Sequence, residues 1–249
     1  MGRLEKKIAL ITGGNSGIGL ATAKQFVQEG AHVILMGRRL QELDAAVKEI
    51  GHSANCIQGD VSKQDDLDRA FAKIKQETGR IDIVFANAGI AEFAPLGSIT
   101  EKHYESIFSI NVKGLLFTVQ KAIPLLPDGA SIILTGSVVG SKGMAANSVY
   151  SASKAAIRSF ARTWTSDLKA RRIRVNIVSP GVIDTPGLNE LLASSERGQQ
   201  HAKILPNIIP LGRIGDPREV AKAVAFLASD DSSYITGIEL FVDGGMAQI

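Results

Sequence analysis

Apolar residues in this chain come in short blocks, separated by longer stretches of helical period. The blocks Ile8–Thr12, His32–Met36, Asn55–Gln58, Ile81–Ala86, Ser131–Thr135, Arg174–Ser179 and Glu239–Val242 are nearly continuous in apolar character. That is the pattern of strands covered on both faces. Between them, Gly17–Glu29, Arg39–Ile50, Lys63–Glu77, Lys102–Leu126, Val149–Ala170 and Pro217–Ser229 repeat apolar positions at helical spacing. Strict alternation of strand and helix predicts an α/β chain. Seven parallel strands form one doubly wound sheet with helices on both faces, as a single domain over residues 1–249. One stretch breaks the rhythm. Pro180 to Asp216 holds Pro180, Pro186, Pro206 and Pro210, and a short helical pattern over Leu188–Ser195. A long, apolar connection in a compact domain reads as a functional lid, here about 182–215.

Composition changes this picture only at glycine. The chain has 25 glycines in 249 residues, against a usual share of about 7%. They follow no repeat and sit beside the apolar blocks, which predicts tight strand-to-helix turns. The net charge of +3 is small. Its densest basic cluster, Arg171, Arg172 and Arg174, reads as a solvated helix end and not as a nucleic-acid footprint. The lone Cys56 rules out an internal disulfide and reads as a buried small apolar residue. Four scattered histidines offer no metal-ligand spacing. No apolar run reaches the length of a membrane span or a signal-peptide core, so a cytoplasmic protein without a membrane partner is expected.

The first strand runs into Gly13-Gly14-Asn15-Ser16-Gly17-Ile18-Gly19 and then a helix. Such a turn aims backbone N–H groups and a helix N-terminus at an anion, and its missing side chains let a phosphate approach. It is not a Walker loop, because Leu20 stands where lysine is needed. The reading is a Rossmann-type dinucleotide site. At the end of the second strand Gly37 is followed by Arg38 and Arg39, with no acidic residue for a ribose hydroxyl. Arginine there favours a 2′-phosphate, which predicts NADP(H) over NAD(H). Farther on, Tyr150 and Lys154 are four residues apart and share one helical face. Ser137 follows the strand Ser131–Thr135, at the sheet edge where ligands gather.

Together these motifs resemble the short-chain dehydrogenase/reductase family. The resemblance runs from about Lys7 to Gly245. It rests on Thr12–Gly19, Asp60-Val61, Asn87-Ala88-Gly89, Asn111, Ser137, Tyr150/Lys154, Pro180-Gly181 with Thr185, and Val242-Asp243-Gly244-Gly245. It implies a carbonyl reductase using NADP(H), in which Tyr150 gives its proton to the developing alkoxide and Ser137 polarises the carbonyl. Lys154 holds the nicotinamide ribose, and Asn111 binds a water that relays protons to Lys154. The cofactor site implied is Gly13, Asn15, Ser16, Gly17, Ile18, Gly19, Arg38, Arg39, Asp60, Val61, Asn87, Ala88, Gly89, Tyr150, Lys154, Pro180, Gly181, Val182 and Thr185. Asp60 meets the adenine amino group, Asn87 braces the central strands, and Thr185 meets the carboxamide. A homotetramer is also implied.

Three positions depart from the family pattern. Ala86 replaces a frequent Asn, and Ser16 replaces the basic residue that some NADP-binding members carry. Arg172 replaces a Gly at a helix exit, which implies a different cap or a less favoured backbone conformation. The expected substrate pocket, Val138, Val139, Met144, Leu188, Leu191 and Leu192, is apolar and suits a small ketone or aldehyde, reversibly reduced to an alcohol. An alternative inside the family is 3-oxoacyl-[acyl-carrier-protein] reductase. An alternative outside catalysis is a nucleotide-binding sensor, which the intact set Asn111, Ser137, Tyr150 and Lys154 disfavours.

Overall fold

A computed structural model describes residues 2–193, 199 and 204–248. Its strands are β1 (Ile8–Thr12), β2 (His32–Gly37), β3 (Ala54–Gln58), β4 (Ile83–Ala86), β5 (Ser131–Thr135), β6 (Arg174–Pro180) and β7 (Glu239–Val242). They pair in parallel in the order β3-β2-β1-β4-β5-β6-β7. Registers such as Leu10 beside Ile34 and Val84, and Ile133 beside Asn176, keep like positions on one face. Successive strand residues therefore feed opposite layers. Leu10, Ile34, Val84, Ile132, Leu134, Val175 and Ile177 pack into one core, and Ala9, Ile11, Val33, Leu35, Phe85, Ile133 and Val178 into the other.

The helices divide the same way. α3 (Gln64–Glu77), α5 (Leu115–Ala122) and α6 (Ser148–Asp167) supply Leu67, Val119 and Ile157 to the first core. α1 (Gly17–Gln28), α2 (Leu40–Ile50) and α8 (Pro217–Ala228) supply Phe26, Leu43 and Val224 to the second. α4 (Glu101–Phe108) precedes α5, and α7 (Pro186–Ala193) follows β6. The segment 204–208 is also helical. Ser194 and Ser195 of the expected short helix, and most of the expected lid's centre, lie outside the described residues.

Several expectations need correction. The fourth strand starts at Ile83 and not Ile81. The Asp82 carboxylate takes the Ile8 N–H at 2.8 Å, and the Ile81 N–H donates to the Leu125 carbonyl at 2.9 Å, so both residues serve the strand's entry. The expected helix Lys102–Leu126 is interrupted by a π turn over Ser109–Gly114 and closes in a 3₁₀ turn over Ile123–Leu125. π turns carry an extra residue and are frequent at functional sites. Here the turn holds Asn111 fully buried. It also brings Gly114 so near Val61 that a Cβ would stand 2.8 Å from Val61 Cγ2. Arg172, where the family's glycine is missing, is left-handed with φ 54° and ψ 25°.

Of the arginine cluster only Arg172 is a solvated helix end; Arg171 and Arg174 are not. Arg171 bonds to Asp128 at 3.1 Å and to the carbonyls of Ile123 and Leu126. Arg174 donates to the Leu227 carbonyl at 2.9 Å, the Ser229 carbonyl at 3.0 Å and Ser232 Oγ at 2.7 Å, capping the C-terminal end of α8. A guanidinium suits that negative helix pole. Arg174→Met removes these charge-assisted bonds and is expected to cost about 2–3 kcal/mol. Thermal melts should show a loss of roughly 5–10 °C for a chain of this size; an unchanged melt would make the clamp decorative. Cys56 is half-buried on the edge strand β3, not fully buried. Burial and then Asp44, 3.6 Å from its sulfur, push the thiol up, which keeps it unreactive.

Candidate active site

The carboxyl ends of the strands open into one cavity of about 560 Å³. It straddles β1 and β4, where the strand order reverses and where open α/β sheets bind ligands. The turn after β1 forms one wall. Gly13 and Gly17 hold φ of 65° and 51°, conformations that glycine adopts without penalty. Gly19 does not line the cavity. A Cβ there would stand 2.1 Å from the Gly13 carbonyl oxygen, so its bare Cα lets α1 seat against the turn. Ser16 caps α1 without a side-chain hydrogen bond, which leaves the first helical amides uncapped by the side chain and facing the cavity. Asn87 ties three strands together. Its Nδ2 donates to the carbonyls of Thr12 at 3.1 Å and Gly13 at 3.3 Å, and its Oδ1 accepts from Thr135 Oγ1 at 3.2 Å.

At one end lie Gly37, Arg38, Arg39, Asp60 and Val61. Arg38 is exposed, and no described side chain pairs with its guanidinium. Arg39 and Asn15 are engaged: both bond to Glu42, a residue the sequence reading passed over. Asp60 Oδ1 accepts from the Ser62 backbone at 2.9 Å and hydroxyl at 2.7 Å.

At the other end the first turn of α6 presents Tyr150, and the next turn Lys154. The 3₁₀ turn after β5 presents Ser137, whose hydroxyl accepts from the Val139 N–H at 3.4 Å and lines the cavity beside Tyr150. Burial pushes the phenol above its ordinary value, and Ser137 pulls it partly back. Lys154 Nζ is 5.7 Å from the centre of the Tyr150 ring and donates to the Thr135 carbonyl at 2.8 Å. Among the described residues it has no carboxylate partner, and burial pushes it down to about 8. Asn111 is not a lining residue. Its Oδ1 accepts from the Ile90 N–H at 2.9 Å, and its Nδ2 donates to the Ile90 carbonyl at 2.9 Å and Ser153 Oγ at 3.1 Å. Asn111 thus fastens the π turn to the strand exit beside Gly89. A Gly89 Cβ would stand 3.2 Å from Asn111 Oδ1 and 3.6 Å from Lys154 Nζ.

Beyond Ser137 and Tyr150, the wall carries Val138, Val139, Met144, Val182, Leu188, Leu191 and Leu192, with Pro180, Gly181 and Thr185 bridging to the glycine turn. Phe93, just past the Asn87-Ala88-Gly89 motif and expected from sequence to join this wall, lines it too, and the structure adds Ile90, Asn147, Glu190, Leu205 and Met246. Met246 has no motif to mark it. It arrives because Asp243 folds the chain end into a turn, accepting the Gly245 and Ala247 N–H groups at 2.9 and 2.7 Å, and because Lys142 Nζ donates to the Met246 carbonyl at 2.6 Å.

Comparisons with known proteins agree with this geometry. Residues 13–247 match the sequence-family model described as Enoyl-(Acyl carrier protein) reductase. The chain is 48% identical to Oxidoreductase asL5 of Sarocladium schorii, over 99% of this chain and 98% of that one. It is 39% identical to the 3-oxoacyl-[acyl-carrier-protein] reductase FabG of Thermotoga maritima, over 98% and 99%. It is 36% identical to the NADP-dependent (R)-specific alcohol dehydrogenase of Lentilactobacillus kefiri, over 98% and 97%. A crystal structure of a short-chain dehydrogenase/reductase (glucose/ribitol dehydrogenase) from Brucella melitensis superposes with a TM-score of 0.92 at 32% identity, covering 99% of each chain. The chain belongs to the short-chain dehydrogenase/reductase family of oxidoreductases, whose members use a nicotinamide cofactor. The glycine cradle, the uncapped amides of α1 and the buried ammonium of Lys154 fit that group. Among the described residues no helix is long and apolar enough to cross a membrane.

Proposed function

We propose that the protein is an NADP(H)-dependent reductase of small apolar ketones or aldehydes, working reversibly toward the alcohol. The observation that carries the chemistry is the convergence of Ser137, Tyr150 and Lys154 on one wall of the cavity, with the Lys154 ammonium 5.7 Å from the centre of the tyrosine ring. The cofactor supplies the hydride when bound. The chain's own part is charge and protons. A carbonyl oxygen gaining negative charge needs preorganised donors, and the Ser137 hydroxyl and the Tyr150 phenol supply two from one direction. Tyr150 then delivers its proton to that oxygen. The protonated Lys154, beside the ring, favours the phenolate that remains and so brings the tyrosine toward useful acidity. The apolar wall keeps water from the reacting atoms.

The preference for NADP(H) rests on Arg38, exposed at the end of β2 where no acidic residue follows the strand directly, its guanidinium unpaired among the described residues. A panel of ketones and aldehydes, run with NADPH and NADH in parallel, tests it. NADPH is expected to be preferred by at least tenfold in kcat/KM, and Arg38→Ala to remove most of that preference. Better turnover with NADH overturns the cofactor assignment.

The similarity to the Thermotoga reductase favours a second reading, reduction of a 3-oxoacyl group on a carrier protein. An acidic carrier needs a basic surface, and Arg171 and Arg174 are spent on internal carbonyls, leaving Arg172 exposed. Turnover confined to acetoacetyl thioesters would reverse the order of these readings. The stacked pairs Tyr104/Phe108 and Phe160/Trp164 on α4 and α6 support the homotetramer, which light scattering measures directly.

A further inference from the structure

Behind the end of the cavity that holds Arg38 stands a carboxylate that no motif marks. Glu42 Oε2 accepts from Asn15 Nδ2 at 2.7 Å and meets Arg39 Nη2 at 2.6 Å, so one oxygen holds both residues. Asn15 Oδ1 in turn lies over Gly37, 2.9 Å from where a Cβ would stand there. Asn15, Gly37, Arg38 and Arg39 all line the cavity, while Glu42 stands behind them in the first turn of α2. The helix N-terminus favours an anion at that place, which gives Glu42 a reason to be acidic and not neutral.

From this we infer that Glu42 is a specificity-determining residue that weakens discrimination between the phosphorylated and unphosphorylated cofactor; the inference rests on the NADP(H) reading of Arg38. Two effects act together. Glu42 occupies the second guanidinium, so a 2′-phosphate is met by Arg38 alone unless Arg39 exchanges one anion for another. Its own charge would also disfavour a phosphate dianion bound beside Arg38. The Arg39 and Glu42 side chains are 60% and 44% exposed, so the pair is a weak, solvent-screened restraint and not a fixed structural bridge. The site is thereby tuned toward tolerance: phosphate is preferred, and the unphosphorylated ribose is not shut out.

The test uses binding alone, so that activity does not enter. Calorimetric titrations with adenosine 2′,5′-bisphosphate and with 5′-AMP are run on the full chain, on Glu42→Gln, Arg39→Ala and Arg38→Ala, and on the Glu42→Gln/Arg39→Ala double variant. Glu42→Gln is expected to tighten the bisphosphate about fivefold and leave 5′-AMP unchanged. Arg39→Ala alone is expected to change bisphosphate binding less than twofold, since Arg39 is already held. In the Glu42→Gln background the same change should erase the part of the gain that comes from the freed guanidinium, leaving less than half of it, a coupling that a merely structural role for Glu42 does not produce. If Glu42→Gln leaves the bisphosphate unchanged or weaker while Arg38→Ala abolishes discrimination, the role of Glu42 is overturned and the NADP(H) reading stands. If Arg38→Ala leaves discrimination intact, the NADP(H) reading falls, and the inference with it.

Discussion

Tyr150→Phe is expected to lower kcat by about 10³-fold and to leave the fold and nucleotide affinity intact. The phenol oxygen carries a transferable proton and shares the cavity wall with a second hydroxyl, that of Ser137. Removing it takes away the proton source and one of two oxyanion donors, and leaves a ring of the same shape. The Ser137 hydroxyl keeps its weak contact with the Val139 N–H at 3.4 Å, so no isolated buried group is created. Single-turnover rates beside a binding titration separate chemistry from affinity. A variant that retains a tenth or more of the wild-type rate would mean that another group supplies the proton. A variant that keeps its biological effect, in a protein whose wild type turns over no carbonyl, would point to the sensor.

Lys154→Met is expected to make the ligand-free protein more stable and the enzyme at least 10²-fold slower. Lys154 is 5% exposed, has one carbonyl acceptor and is pushed down to about 8 by burial. The sign follows from proton counting. The unfolded chain keeps this proton up to the ordinary lysine value, whereas the folded chain releases it near pH 8. Between those values stability rises with pH; below pH 8 the whole cost of burying the ammonium is present, about 3 kcal/mol. Methionine fills the same space without charge and forfeits the Thr135 bond, worth about 1 kcal/mol. The net gain is about 1–2 kcal/mol at pH 7, a few degrees in Tm, and it should shrink as pH climbs from 8 toward 10. Melts of both proteins across that range check it. A variant less stable than wild type at every pH would make Lys154 a structural support. The expected trade of stability for activity is what a site held ready for a ligand should show.

Most of the framework was legible because it depends on period and punctuation. Apolar blocks such as Ile8–Thr12 and Ser131–Thr135 read as strands covered on both faces, and the glycine turn at Gly13–Gly19 marks the first crossover. Tyr150 and Lys154 were legible because a spacing of four is itself a geometry. What could not be read depends on partners distant in sequence. Asp82 shortens β4 by capturing the Ile8 N–H, seventy-four residues away. The π turn follows from Asn111 finding Ile90 and from Gly114 meeting Val61, and neither contact alters the helical period of the segment. Arg174 looked like surface charge because charge on a sequence carries no address; its carbonyls belong to α8. Met246 and Glu42 were missed for the same reason. One reaches the cavity through a terminal turn, and the other acts behind the residues that face it.

The sheet separates the two tasks of the site as well as the two cores. α1 and α2, which shape the nucleotide end through the glycine turn, Arg39 and Glu42, pack on one layer. α5 and α6, which flank the π turn and carry Tyr150 and Lys154, pack on the other. Alternate residues of the same strands serve each layer, so a repacking around Leu43 or Phe26 reaches Tyr150, the proposed proton donor, only through the sheet between them. Selection can therefore revise which nucleotide is accepted without re-solving how a carbonyl is reduced, and can reshape the substrate wall without renegotiating the cofactor.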